Sequence, residues 1–129
     1  MDISKTIAQM KQDSGFADNV GMVLVHNGIV RGWSRSDGST ISQMEVISDL
    51  DKIEQIRCDI EQMQGIYKVA VEARSGIMQP GDDILFLVVA GDIREHVKPA
   101  LALLLERIKT EGVSKKEMGA RKPYEHYES

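Results

Sequence analysis

The chain has 129 residues, enough to bury one core and too few for two ordinary domains, so a single domain over 1–129 is expected. With 42% hydrophobic and 28% charged residues it has the composition of a globular protein, which excludes collagen, coiled coil and wholesale disorder. A net charge of -4 excludes a global basic field for nucleic acid or anionic lipid, no segment reaches the ~20 apolar residues of a membrane span, and the charged start MDISKTIAQMKQDSG is no secretory signal. The expected compartment is the cytoplasm, which also suits a lone cysteine, Cys58, that has no partner for an internal disulfide.

In chain order, DISKTIAQMKQ places Ile3, Ile7 and Met10 at helical spacing, although so short a segment fits an edge strand or a loop equally well. VGMVLV is a β-branched apolar run that continues through a turn or bulge at Asn27-Gly28 into IVRGW. Asp37-Gly38 is a favoured turn pair, and ISQMEVI alternates after it, so a hairpin-like connection of two strands is predicted. Ser48 with Asp51 forms a capping-box pattern for a helix whose Leu50, Ile53, Ile56, Ile60 and Met63 make one stripe, ended by Gly65. IYKVAVEA alternates as a half-wet strand. A Pro80-Gly81 turn follows, and ILFLVVA reads as a strand buried on both faces.

The last helix is expected over Asp92 to Lys109, with Val97, Leu101, Leu104 and Ile108 inward and a late start or a kink at Pro99. Beyond Gly112 the sequence turns polar, and 118–129 is expected as a flexible tail. The order of elements argues for an α+β fold with mixed or antiparallel sheet and two main helices.

Most chemical signatures are missing. His26, His96 and His126 lack metal-ligand spacing, no phosphate-binding glycine loop or nucleophile elbow is present, and Asp82-Asp83 beside Pro80-Gly81 are turn residues, so no metal site is expected. What remains is cationic. Six basic residues against two acidic ones give +4 between Arg107 and Lys122, while the other 113 residues carry -8. Lysines past a helix end have a plain explanation, complementing the negative end of its dipole. The alternative is a set of cations converging on a phosphorylated or carboxylated ligand.

The ordered series GMVLVHNGIVRG, ARSGIMQPGDDILFLVVAGDIR and ERIKTEGVSKKE resembles the large, catalytic subunit of molybdopterin synthase, the MoaE family, over roughly Val20 to Glu117. Gly28-Ile29-Val30-Arg31 is similar to the family's G-x-V-R strand end, and Arg94 fits the arginine of its His-Arg pair. Lys109 fits the first catalytic lysine; the second is Lys116 without a gap or Lys115 after a one-residue deletion. The chain departs from the family where Ile93 and Ala73 replace histidines and where Gly112 to Ser114 shorten the segment between the lysines.

The resemblance implies an α/β-hammerhead-like fold and a sulfurtransferase of molybdenum cofactor biosynthesis. A small ubiquitin-like carrier, MoaD-like, inserts a C-terminal thiocarboxylate, and sulfur passes to cyclic pyranopterin monophosphate. It further implies catalytic roles for Lys109 and Lys115 or Lys116, substrate binding by Arg31 and Arg94, no resident cofactor, and a homodimer within a heterotetramer. A non-catalytic module of the same fold, recognising a carrier tail or a phosphorylated ligand, is the alternative.

Overall fold

The computed structural model of the chain describes residues 1–119 together with the backbone of 125–128. Its centre is β5 (Asp83–Gly91), the ILFLVVA run, paired antiparallel with β1 (Met22–Ile29) on one edge and β3 (Ile66–Ala73) on the other. Lack of alternation in β5 has a simple cause. Leu85, Leu87 and Val89 enter the main core, whereas Val88 and Ala90 face the opposite way into a second apolar cluster.

That second cluster is closed by α1 (Ile3–Lys11), which supplies Met10 and Ile7, and by the short α2 (Phe16–Asn19). The N-terminal segment is thus a helix, started by Asp2, whose carboxylate accepts from the Lys5 amide at 3.1 Å.

β1 runs through Asn27-Gly28, with a register shift between Gly28 and Ile29. It makes no hairpin with β2 (Ile41–Ser48), because the two strands lie in different sheets. The segment between them closes on itself through an isolated Trp33–Thr40 bridge, with Gly38 at φ +74°. β2 instead pairs antiparallel with the three-residue β4 (Gly76–Met78) and with β6 (Val113–Gly119), and β6 continues to β7 (Glu125–Glu128). The segment after Gly112 therefore begins as a strand. Of the stretch expected as a flexible tail, Met118 and Gly119 end β6, 125–128 form β7, and 120–124 and 129 lie outside the described residues.

Two helices cover the main core. The first, α3 (Leu50–Glu61), is capped by Asp49, not Ser48: the Asp49 carboxylate accepts from the Lys52 amide at 3.1 Å, while Ser48 stays in β2 and donates to the Arg74 carbonyl at 3.0 Å. Ile53, Ile56 and Ile60 are its buried face. Helix α4 (Arg94–Arg107) starts before Pro99 and continues through it, at the loss of one helical hydrogen bond, and buries Val97, Ala100 and Leu104.

A π-helical turn, Ile108–Gly112, joins α4 to β6. Arg107 pins it from outside, bonding Glu111 at 2.9 Å and Asp59 of α3 at 2.9 Å, and Lys52 reaches Glu111 at 3.4 Å. From inside, the buried Gly112 accepts from the Asp49 amide at 2.8 Å and packs so closely that a Cβ there would lie 2.7 Å from Ile53 Cγ1. Among the described residues no helix is long and apolar enough to cross a membrane.

Two outcomes follow from this packing. Gly112→Ala overpacks the contact with Ile53 and lowers unfolding free energy by about 1–3 kcal/mol in urea titration. Second, Glu111 and Glu54 are held below the ordinary glutamate range chiefly by hydrogen bonds from Arg107 and Arg57, and Asp92 below the aspartate range by His96. A lowered carboxylate contributes stability that is present above the unfolded pKa and lost as pH falls through the folded one. The melting temperature should therefore drop on acidification below about pH 4, and Arg107→Met should flatten part of that drop.

Candidate functional site

The inward face of β1 carries Met22, Leu24, His26 and Gly28 in alternation. Met22 and Leu24 pack against the core, whereas His26 and Gly28 open onto a cavity of about 230 Å³ between the end of the first sheet and the inner face of the second. Its apolar floor comes from Met44 and Val46 of β2 with Ile84 and Leu85 of β5. Four cations line it from three separate segments: Arg31 and Arg35 from the β1–β2 connection, Lys109 from the π-helical turn, and Lys115 from β6. Among the described residues no carboxylate lines it.

The segments that carry the cations are held by identifiable contacts. The backbone just before Arg31 is fixed by a pair of hydrogen bonds, from the Val30 amide to the Asp82 carbonyl and from the Gly81 amide to the Val30 carbonyl, both 2.9 Å. The Arg31 guanidinium lies over the Trp33 ring, 4.7 Å from its centroid, and Trp33 is itself 53% exposed.

Arg35 follows Ser34, which is fully buried and donates from Oγ to Oε1 of the equally buried Glu117 at 3.0 Å. Ser34 also closes the loop, its amide donating to the Ser39 carbonyl and its carbonyl accepting from the Gly38 amide, each at 2.8 Å. Because Glu117 shares a face of β6 with Lys115, this hydrogen bond attaches the arginine loop to the lysine strand. Lys109 takes its direction from the π-helical turn, an irregularity common where a helix must aim a side chain at a site.

Electrostatics reflect the crowding of like charge. His26 has its pKa below the ordinary imidazole range, first through burial, then through Lys109 and Lys115.

Arg31, Lys109 and Lys115 thus meet in one cavity. Lys116 does not line it: it pairs in register with Glu45, whereas Lys115 pairs with the buried Val46, so the two lysines leave β6 on opposite sides. Arg94, the first residue of α4, also lies outside the cavity. Its side chain is 78% exposed, with Nε 3.3 Å from Oε1 of Glu95. Two cavity residues, His26 and Arg35, were not anticipated from the sequence. Arg35 is hidden in a turn-rich stretch. His26 carried one signal, its parity with Met22 and Leu24 on the core-facing row.

Cys58 is exposed on α3, its Sγ beside Glu54 and Arg57 and away from the cavity. Among the described residues no three His, Cys, Asp or Glu side chains gather as metal ligands do.

Comparison with known proteins gives the context. The family model for the MoaE protein matches residues 1–111, which takes in Arg31, Arg94 and Lys109 and stops short of Lys115. Among solved structures the chain is similar to molybdopterin synthase from Staphylococcus aureus, at 24% identity and a TM-score of 0.70 over 85% of this chain and 81% of that one. It is similar to the molybdopterin biosynthesis MoaE protein from Burkholderia ambifaria MC40-6, at 20% identity and a TM-score of 0.72 over 98% and 82%. It also resembles a chain in the complex of subunits 1 and 2 of molybdopterin-converting factor from Helicobacter pylori 26695, at 17% identity and a TM-score of 0.66 over 95% and 82%. No curated protein sequence matches. At these identities the structural likeness is one of fold, and it agrees with the α+β, antiparallel architecture described above. The family model spans all elements from α1 to α4 and most of the π-helical turn, so the chain belongs to the MoaE family.

Proposed function

We propose that this chain is the large subunit of a molybdopterin synthase, working in molybdenum cofactor biosynthesis, the process to which its family belongs. In this role it moves sulfur from the C-terminal thiocarboxylate of a small ubiquitin-like carrier to cyclic pyranopterin monophosphate. The observation that carries the proposal is the convergence of Arg31, Arg35, Lys109 and Lys115 on one cavity with an apolar floor and, among the described residues, no lining carboxylate. Such a site suits a ligand that pairs a flat, partly apolar ring system with negative charge.

Arg31 and Arg35, as planar donors, are assigned to the substrate phosphate or to the carrier's terminal carboxylate. Lys109 and Lys115 are assigned to the reacting end, where they stabilise negative charge that develops on sulfur and on the acyl oxygen, with Lys109 as the acid-base or nucleophilic group. Arg94 does not line this cavity in its own chain, so its assigned role as a substrate-binding arginine requires the cavity of a second copy in a homodimer. The Helicobacter pylori assembly, a complex of two different subunits, supports a small protein partner here. No step calls for a metal or an organic cofactor.

One observation favours a second function, carrier or anion binding without turnover. The family match ends at residue 111, before Lys115, and Ile93 and Ala73 stand where the family has histidines. The two functions separate in a single assay. Purified chain, thiocarboxylated carrier and cyclic pyranopterin monophosphate should yield the dithiolene product, and Lys109→Ala should reduce the rate by about 10²-fold or more while melting temperature stays unchanged. Carrier binding without product in the parent protein, with several cognate carriers, leaves only the binding module. Arg31→Ala should weaken substrate binding about 10- to 100-fold, as expected for loss of a hydrogen bond to a charged group, and the affinity of the parent protein should fall as salt is raised.

A further inference from the structure

His26 occupies a place where chain geometry calls for an apolar side chain. It continues the inward row begun by Met22 and Leu24, both packed on the core, and it is partly buried. A histidine in such a place is ordinarily held by partners inside the protein. Among the described residues, however, nothing hydrogen-bonds its ring, and the ring forms part of the cavity wall. The next inward position is Gly28, where even a methyl group would come within 3.4 Å of His26 Nε2 and of Leu85 Cβ, so the missing side chain keeps that nitrogen open to the cavity.

The described groups packed around the His26 ring come from several elements. Lys109 faces it from the π-helical turn and Lys115 from β6, and Arg31 and Arg35 share the cavity from the connecting loop. The neighbouring residues of β2 and β5, Met44, Val46, Ile84 and Leu85, carry no titratable group. Among the described residues no carboxylate lines the cavity, and burial and the two lysines disfavour the imidazolium. The ring is therefore neutral near pH 7, beside four cations that are donors only.

We propose that His26 is a catalytic residue: the base that accepts a proton from the water that frees the carrier. The assignment depends on sulfur transfer as proposed above. Once the carrier's sulfur is joined to a substrate carbon, the carrier's acyl carbon and the substrate are linked as a thioester. A water oxygen forms the new C–O bond, its proton passes to a His26 ring nitrogen, and the C–S bond breaks with its electron pair on sulfur. The substrate leaves as a thiolate beside Lys109 and Lys115. The carrier departs as a carboxylic acid that loses its proton to solvent, and the imidazolium, destabilised by its cationic neighbours, returns its proton readily. No oxidant or reductant is needed.

The test is single-turnover transfer from thiocarboxylated carrier to cyclic pyranopterin monophosphate, followed by intact-mass spectrometry between pH 5 and 8.5. In the parent protein, release of the carrier should slow on the acid side as His26 becomes protonated. In His26→Gln, release should be slower by about 10²-fold or more, the carrier–substrate adduct should accumulate, and the acid limb should vanish. Affinity for inorganic pyrophosphate at pH 8 should stay within twofold of the parent. His26→Asn serves as a second variant should the first fail to fold. Release within threefold of the parent with the same acid limb in either folded variant, or a parent profile with no acid limb, overturns the role of His26 alone. A parent protein that forms neither adduct nor product overturns sulfur transfer and the role of His26 together.

Discussion

The pairing of β1 with β5 governs what this fold presents to a ligand. β5 is buried on both faces and hydrogen-bonded along both edges, so its own position has little freedom, and the register it imposes, from Met22↔Gly91 through His26↔Leu87 to Gly28↔Leu85, fixes which residues of β1 look inward. A slip of one residue would turn His26 and Gly28 to the outside and bring Val25 and Asn27 in. The bulge after Gly28 then redirects the chain, so that Val30 returns to the core and Arg31 and Arg35 line the cavity above it. The same central strand that stabilises the domain thus sets the geometry of the site.

Holding four cations around one small cavity costs electrostatic energy, since two unit charges about 4 Å apart repel by about 4 kcal/mol at the effective dielectric of a protein surface. The structure meets that cost with contacts outside the cavity. Glu111, which is adjacent in sequence to the π-helical turn's Thr110 and close to Lys109, is engaged by Arg107 and Lys52. Glu117, two residues from Lys115, accepts from Ser34 and so ties the arginine loop to β6. Arg31 rests on the face of Trp33. Glu111 and Glu117 thus anchor the segments that carry Lys109 and Lys115.

The elements that were legible in the sequence were those whose burial follows a simple period. β5 was readable because seven apolar residues in a row have no other ready explanation, and α3 because Ile53, Ile56 and Ile60 repeat at helical steps. β6 was not readable: its inward row is Val113, Lys115 and Glu117, so the alternation that normally marks a strand is written in charges, and only pairing with β2 makes it a strand. The same pairing decides which lysine enters the cavity, a choice that spacing alone left open between Lys115 and Lys116. Pairing of β2 with β4 and β6 rather than with β1 is a long-range choice that a local turn signal at Asp37-Gly38 misrepresents. Ser48 and Asp49 are both good caps, and β2 settled the matter by retaining Ser48. Arg31 and Lys109 were reached through resemblance to the family, whereas His26, which replaces no recognised motif residue, needed the fold before its placement had meaning.

The proposed function makes one cavity the meeting point of carrier tail and phosphorylated substrate. A crystal structure of the chain with inorganic phosphate and a peptide ending in Gly-Gly addresses that most directly. Phosphate within hydrogen-bond reach of Arg31 or Arg35, and the peptide's terminal carboxylate directed at Lys109 and Lys115, is the predicted result. Phosphate and peptide bound away from these four residues, with the cavity filled by solvent alone, would contradict it.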